Sequence, residues 1–159
     1  MRKSCEWPSG DDLMISYHDN EWGIPIHDDI SWFEHIILDG AQAGLSWKTI
    51  LHRREGYRRA FDGFDPVMVA RYDDNKYTEL LNDKGIIRNR LKIKSAINNA
   101  KAFRKIQGEF GSFDNYIWGF TSGAPVVNHW KILADLPARS PLSDIISKDL
   151  KKRGFTFVG

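Results

Sequence analysis

Residues Lys84–Lys105 read K-G-I-I-R-N-R-L-K-I-K-S-A-I-N-N-A-K-A-F-R-K. Ile93, Ala96, Ile97, Ala100 and Phe103 recur at helical spacing, which predicts a long helix from about Asn89 to Gln107 with one apolar face. A shorter pattern covers roughly Lys76 to Asn82, and Gly85 separates the two by permitting a tight turn. Two helices joined through G-I-I-R-N-R set the expectation of an all-α fold. The stretch also holds eight basic residues (Lys84, Arg88, Arg90, Lys92, Lys94, Lys101, Arg104, Lys105) and no acid.

Working outward, Gly10–Asp39 is the reverse, with eight acids and no Lys or Arg. The formal net charge of +2 hides this separation. A concentrated positive surface attracts a polyanion, and each phosphate it neutralises releases counterions. At the turn, consecutive N–H groups after Gly85 and the N-terminus of the long helix favour an anion. Arg88 and Arg90 add charge, while Ile86 and Ile87 would anchor the turn in the core. Spacing alone serves an ordinary helical hairpin with a solvated basic face equally well.

The rest of the chain also reads as helices. Ser31-x-x-Glu34 has the form of a capping box ahead of Phe33, Ile36, Ile37, Gly40 and Ala41, and Gly44 breaks that helix. Ser46 is placed to cap a second helix to about Phe61, basic on its outer face through Lys48, Arg53, Arg54, Arg58 and Arg59. Asp65-Pro66 starts a short helix to about Tyr72, Phe113–Phe120 forms another, and Ser140-Pro141 begins the last, with Gly154 as its C-cap. Strand signals are thin, at 124–127 and 155–158.

Composition is that of a globular protein, with 42% hydrophobic and 28% charged residues. The length fits one domain, 1–159. Cys5 is the single cysteine, which excludes an internal disulfide framework and fits a reducing cytoplasm. No apolar run reaches membrane-spanning length and no signal peptide is visible. The sequence stops straight after the apolar run Phe155–Val158, and the expectation is a chain that lacks its C-terminal tail.

Y-H-D-N-E-W-G (Tyr17–Gly23) and L-D-G-A-Q-A-G-L-S-W (Leu38–Trp47) bring together Tyr17, Trp22, Asp39, Gln42 and Trp47. Aromatic faces can sandwich a planar base while a carboxylate and an amide read its edge. Taken singly, each aromatic is better read as core and Asp39 as a surface residue near a helix end. Cys5 and His18 are zinc-ligand types, but two residues are not a motif, and alone they read as a free thiol and a hydrogen-bonded histidine. No Walker, dinucleotide or nucleophile-elbow pattern is present.

Together these stretches resemble the bacterial 3-methyladenine DNA glycosylase I family, of the helix–hairpin–helix superfamily. C-E-W, Y-H-D-N-E-W-G-I-P, L-D-G-A-Q-A-G-L-S-W, R-R-E-x-Y-R-x-x-F, F-D-P-x-x-V-A, G-I-I-R-N-R-x-K-I and I-S-K-D-L-K-K-R-G-F-T-F-V-G occur in order along the whole chain. The resemblance implies helical lobes around a DNA groove, and a base-excision repair enzyme. It would flip 3-methyladenine from alkylated double-stranded DNA and hydrolyse its glycosidic bond, acting as a monomer.

By this resemblance Tyr17 and Trp47 stack on or line the base pocket, Trp22 and Gln42 help shape it, and Asp39 is the catalytic carboxylate. Gly85, Ile86, Arg88 and Arg90 grip the DNA backbone. Asp39 stands where the family has a glutamate, one methylene longer. The family's structural zinc implies Cys5 and His18 as ligands, with a second His and Cys from the tail, so the site would be half built here. Competing expectations are a non-catalytic DNA-binding module, or a glycosylase for another alkylated purine.

Overall fold

The computed structural model describes residues 5–159. The described residues form α1 (Asp12–Asn20), α2 (Asp29–Gln42), α3 (Trp47–Leu51), α4 (Arg54–Ala60), α5 (Pro66–Val69), α6 (Asp74–Asn82), α7 (Arg90–Phe110), α8 (Phe113–Gly119) and α9 (Pro141–Lys152), with 3₁₀ turns at Asp62–Phe64 and Leu133–Asp135. They contain no strand, so the expected all-α fold holds.

The central element is α7. It packs against α2, α5, α6 and α8 and buries Ile93, Ala96, Ala100, Phe103 and Ile106. Ile97 is only partly covered. Phe103 meets the edge of Phe33 at 5.2 Å and stacks on Phe113 at 4.4 Å. Each such side chain, fully buried, contributes about 1.5–3 kcal/mol from apolar transfer.

Helix starts are set by side-chain caps. Asp11, Asp28, Ser46, Asp65, Asp73, Asn89, Ser112 and Ser140 each accept a hydrogen bond from an early backbone N–H. The cap of α2 is therefore Asp28, which accepts from the N–H of Ser31 at 2.8 Å, and not Ser31 itself. Glu34 closes no capping box. It is buried, and it accepts from Arg54 Nε at 2.6 Å and Arg58 Nη2 at 3.0 Å.

That ion cluster also explains why the helix expected over Ser46–Phe61 is two. The chain turns at His52 and Arg53 (φ −103°, ψ 0°), and α4 restarts so that Arg54 and Arg58 face Glu34. A buried carboxylate without partners would cost several kcal/mol, more than a broken helical turn. The face expected to be basic and solvated is thus partly turned inward.

The terminal apolar run is no strand, yet it is docked. Asn99 Nδ2 donates to the Thr156 carbonyl at 2.9 Å and Asn99 Oδ1 accepts from the Thr156 N–H at 2.9 Å. Ser95 Oγ donates to the same carbonyl at 3.2 Å, and Phe155 is buried beside Phe113. The other weak strand signal lies in the exposed connection 122–140. No helix among the described residues is long and apolar enough to cross a membrane.

Asn99→Ala would leave the Thr156 N–H without its side-chain acceptor and remove one of the two donors to the Thr156 carbonyl, Ser95 Oγ remaining. It should lower unfolding stability by about 1–3 kcal/mol, read as a lower urea midpoint with unchanged slope.

Candidate active site and nucleic-acid interface

The turn between α6 and α7 is built by its neighbours. Asp83 Oδ1 accepts from the Gly85 N–H at 2.7 Å. From α4, the Tyr57 hydroxyl accepts from the Ile87 N–H at 3.1 Å, and Arg53 Nη1 donates to the carbonyls of Lys84 (2.9 Å) and Ile86 (3.3 Å). Ile86 is sealed in the core as expected. Gly56 of α4 lies directly under Gly85: a Cβ on Gly56 would stand 2.2 Å from the Gly85 carbonyl oxygen.

These bonds relocate the expected anion contact. The N–H groups of Gly85 and Ile87 already have acceptors, that of Asn89 donates to the Ile87 carbonyl at 2.9 Å, and that of Ile86 lies 3.5 Å from the Asp83 carbonyl. From Gly85 to Leu91, the N–H groups without an acceptor among the described residues are those of Arg88, Arg90 and Leu91. They sit at the N-terminus of α7, where the helix dipole also favours negative charge. The side chains of Arg88 and Arg90 are exposed there.

A second feature is a cleft of about 520 Å³, within the range of small-molecule sites. Its wall includes Tyr17, Glu21 and Trp22 from the α1 end, His35 and Asp39 from α2, and Arg54 from α4. Apolar side chains of α8, α9 and the 24–26 segment complete it. Asp39 is open to the solvent of the cleft, but the surrounding walls desolvate it and push its carboxyl above the 3.8 of a free Asp. His35, one turn earlier on α2, pulls in the opposite direction. Burial, helped by the charges of Asp39 and Glu21, pushes the Tyr17 phenol up to about 12, so it stays neutral at physiological pH.

The expected site residues divide between wall and support. Tyr17, Trp22 and Asp39 line the cleft. Trp47 does not: it is 8% exposed and backs Tyr17, with ring centroids 5.2 Å apart at 51°. Its Nε1 is buried and has no partner among the described residues. Gln42, the last residue of α2, is half-buried and also lies outside the cleft wall. Trp7, given no role by the sequence reading, lies 6.2 Å from Tyr17 and 5.8 Å from Trp22 and joins the two. His35, Glu21 and the Glu34–Arg54 pair were also missed. The one signal for His35 was its spacing of four from Asp39, which places both on one helical face.

Cys5 is an exposed free thiol. His18 stacks on Trp22 and its Nδ1 hydrogen-bonds Asp19 Oδ1 at 2.8 Å. Among the described residues no group of three or more His, Cys, Asp or Glu is placed to hold a metal. A structural zinc takes four ligands, so these residues do not complete one.

An all-α fold with a basic turn at a helix N-terminus and an aromatic, acidic cleft has the parts of a protein that grips a nucleic-acid backbone and receives an extruded base. Residues 7–159 match the methyladenine glycosylase family, and the chain belongs to that family. It is 46% identical to DNA-3-methyladenine glycosylase 1 of Escherichia coli K12 over 155 residues, covering 98% of this chain and 83% of that protein. It superposes with TM-score 0.94 on a crystal structure of 3-methyladenine DNA glycosylase I, at 45% identity, covering 99% of this chain and 86% of the other. A variant of 3-methyladenine DNA glycosylase I in complex with 3-methyladenine also gives TM-score 0.94, at 32% identity, covering 98% and 83%.

Gly56→Ala forces a methyl group against the Gly85 carbonyl and should lift the turn from α4. Affinity for undamaged duplex DNA should drop by about tenfold or more, because the N–H groups of Arg88, Arg90 and Leu91 lose their alignment. In Arg88→Ala/Arg90→Ala the log–log salt slope of binding should become shallower by about two, measured by fluorescence anisotropy.

Proposed function

We propose that this chain excises 3-methyladenine from alkylated double-stranded DNA by hydrolysing the N-glycosidic bond, and acts as a monomer in the cytoplasm. The observation that carries the reading is Asp39 beside Tyr17 and Trp22 in one cleft, in a chain of the methyladenine glycosylase family.

The extruded nucleotide enters the cleft, where Tyr17 and Trp22 give it aromatic faces. A 3-methylated adenine on deoxyribose is cationic, so cation–π attraction favours it over neutral adenine by about 1–2 kcal/mol. Trp47 supports Tyr17 from behind. The Glu34–Arg54–Glu21 ion pairs hold Glu21 and Arg54 in the cleft wall.

In the reaction the C1′–N9 bond breaks and its electron pair returns to the base, which leaves as neutral 3-methyladenine. Water adds to C1′ and gives up one proton, and an abasic site results. Asp39 as carboxylate stabilises the positive charge on base and sugar and orients the water. Among the described residues no lysine lines the cleft to form a Schiff base, which fits a monofunctional hydrolase. Gly85 and Ile86 serve the backbone grip by holding the turn, and Arg88 and Arg90 by charge. Zinc enters the reading only as a structural ion for which Cys5 and His18 supply two donors of four.

The test is release of free bases from methylated duplex DNA, resolved by chromatography. Release of 3-methyladenine with 7-methylguanine left in place is the expected result. Another released purine would change the specificity, and DNA binding with no release would make the chain a binding module.

Asp39 acts ionised, and its carboxyl titrates above the ordinary value, so activity should fall on the acid side at a pH above 3.8. Asp39→Asn should remove that acidic limb and lower the single-turnover rate by about 10²-fold, while binding to undamaged DNA is retained.

A further inference from the structure

Of the eight basic residues between Lys84 and Lys105, Lys92 alone does not stand fully exposed. Its backbone N–H is held by the N-cap, Asn89 Oδ1, at 3.0 Å. Its ammonium reaches across to the end of α2, donating to the carbonyl of Ala41 at 2.7 Å and of Ala43 at 2.6 Å. Two of its three donors are therefore committed to protein carbonyls. Desolvation in that position pushes its pKa below the ordinary lysine value.

The far end of this contact needs a partner. The last carbonyls of any helix lack intrahelical donors, and the macrodipole makes that end negative. The last turn of α2 contains no basic residue of its own, and the chain leaves it through Ala43 (φ −48°, ψ 118°) and Gly44 in a left-handed conformation. The cation that completes this helix end comes from α7. The same last turn carries Asp39 and Gln42. The first turn of α7 directly follows Arg88 and Asn89 of the phosphate-facing turn.

We propose that Lys92 is a positioning residue that ties the last turn of α2, and with it Asp39, to the helix start that grips the DNA backbone. It is not a phosphate contact. One ammonium thereby sets the offset between the backbone grip and the base cleft. The assignment rests on the glycosylase reading for its consequence, but the tether itself is a statement about the free protein.

Lys92→Met keeps the length and removes the donors; Lys92→Arg restores donors that can reach carbonyls. In Lys92→Met, affinity for undamaged duplex and its salt slope should be unchanged. The single-turnover release of 3-methyladenine from methylated duplex, at saturating enzyme, should fall about 10- to 100-fold, the scale of a small misplacement of a catalytic group. Lys92→Arg should recover a large part of the loss. Hydrogen exchange of amides in the last turn of α2 should speed up by about tenfold in Lys92→Met with α7 unaffected, since local opening is no longer opposed.

A salt slope shallower by about one would make Lys92 a phosphate ligand and overturn the proposal. So would an unchanged release rate, or unchanged exchange in α2. Wild-type protein that releases no base would refute the glycosylase reading instead, and the exchange comparison would still decide the tether. If Lys92→Met does not fold, Lys92→Gln, which loses the charge but keeps a donor amide, serves for the same measurements, with changes of the same sign and smaller size expected.

Discussion

The contact between Gly56 and Gly85 sets the architecture of the turn between α6 and α7, because it brings two backbones closer than any side chain permits. The absent Cβ on Gly56 leaves the Gly85 carbonyl room it would otherwise lack. With the turn seated on α4, Tyr57 and Arg53 reach its polar groups and Ile86 drops into the core. Asn89 can then cap α7. Because α7 is also the helix around which α2, α5, α6 and α8 pack, the same event that fixes the turn fixes the frame of the cleft. A looser turn would not merely weaken a surface contact. It would change where the central helix begins.

Charge separation along the chain has two meanings that sequence alone merges. Several acids of the first forty residues act within the fold. Asp11 and Asp28 cap helices, and Asp29 accepts from the N–H groups of Phe113 and Asp114 at the start of α8. Glu34 anchors two arginines. What is left for the cleft is Asp39 and Glu21, the latter paired with Arg54 at 2.8 Å. The basic stretch divides in the same way. Arg88 and Arg90 face outward, whereas Lys92 is drawn in by two carbonyls. A charge count cannot tell these apart, because the difference is made by partners distant in sequence.

The same distinction explains what was legible. The long helix α7, the starts of α5 and α9, and the turn at Gly85 were readable, since caps and apolar period are local. By contrast α1 escaped, as its nine residues mix apolar and polar positions and bury only Met14. The break at Arg53 escaped because its cause, Glu34, lies on another helix. At the site, Tyr17, Trp22 and Asp39 were found from chemistry plus family pattern and do meet in one cleft. Which aromatics face the cleft and which stand behind was not readable: Trp47 and Tyr17 both read as aromatic faces in sequence, and packing alone decides which one meets the cleft. His35 carried no local mark beyond a helical spacing whose facing was unknown.

On the proposed reading, the raised carboxyl of Asp39 bears on selectivity as well as on rate. A carboxylate whose walls strip away part of its water is destabilised while the cleft is empty. A neutral adenine offers it only a hydrogen bond. A cationic 3-methyladenine offers a hydrogen bond and an opposite charge, in surroundings where Coulomb attraction is less screened than in water. The aromatic faces of Tyr17 and Trp22 respond to the same positive charge with the same sign. The shorter reach of Asp39 therefore matters less than its environment: charge attraction falls slowly with distance, while a directional hydrogen bond to the base edge does not survive one lost methylene without adjustment. On that reading the cleft recognises the damage first by its charge and only second by its outline.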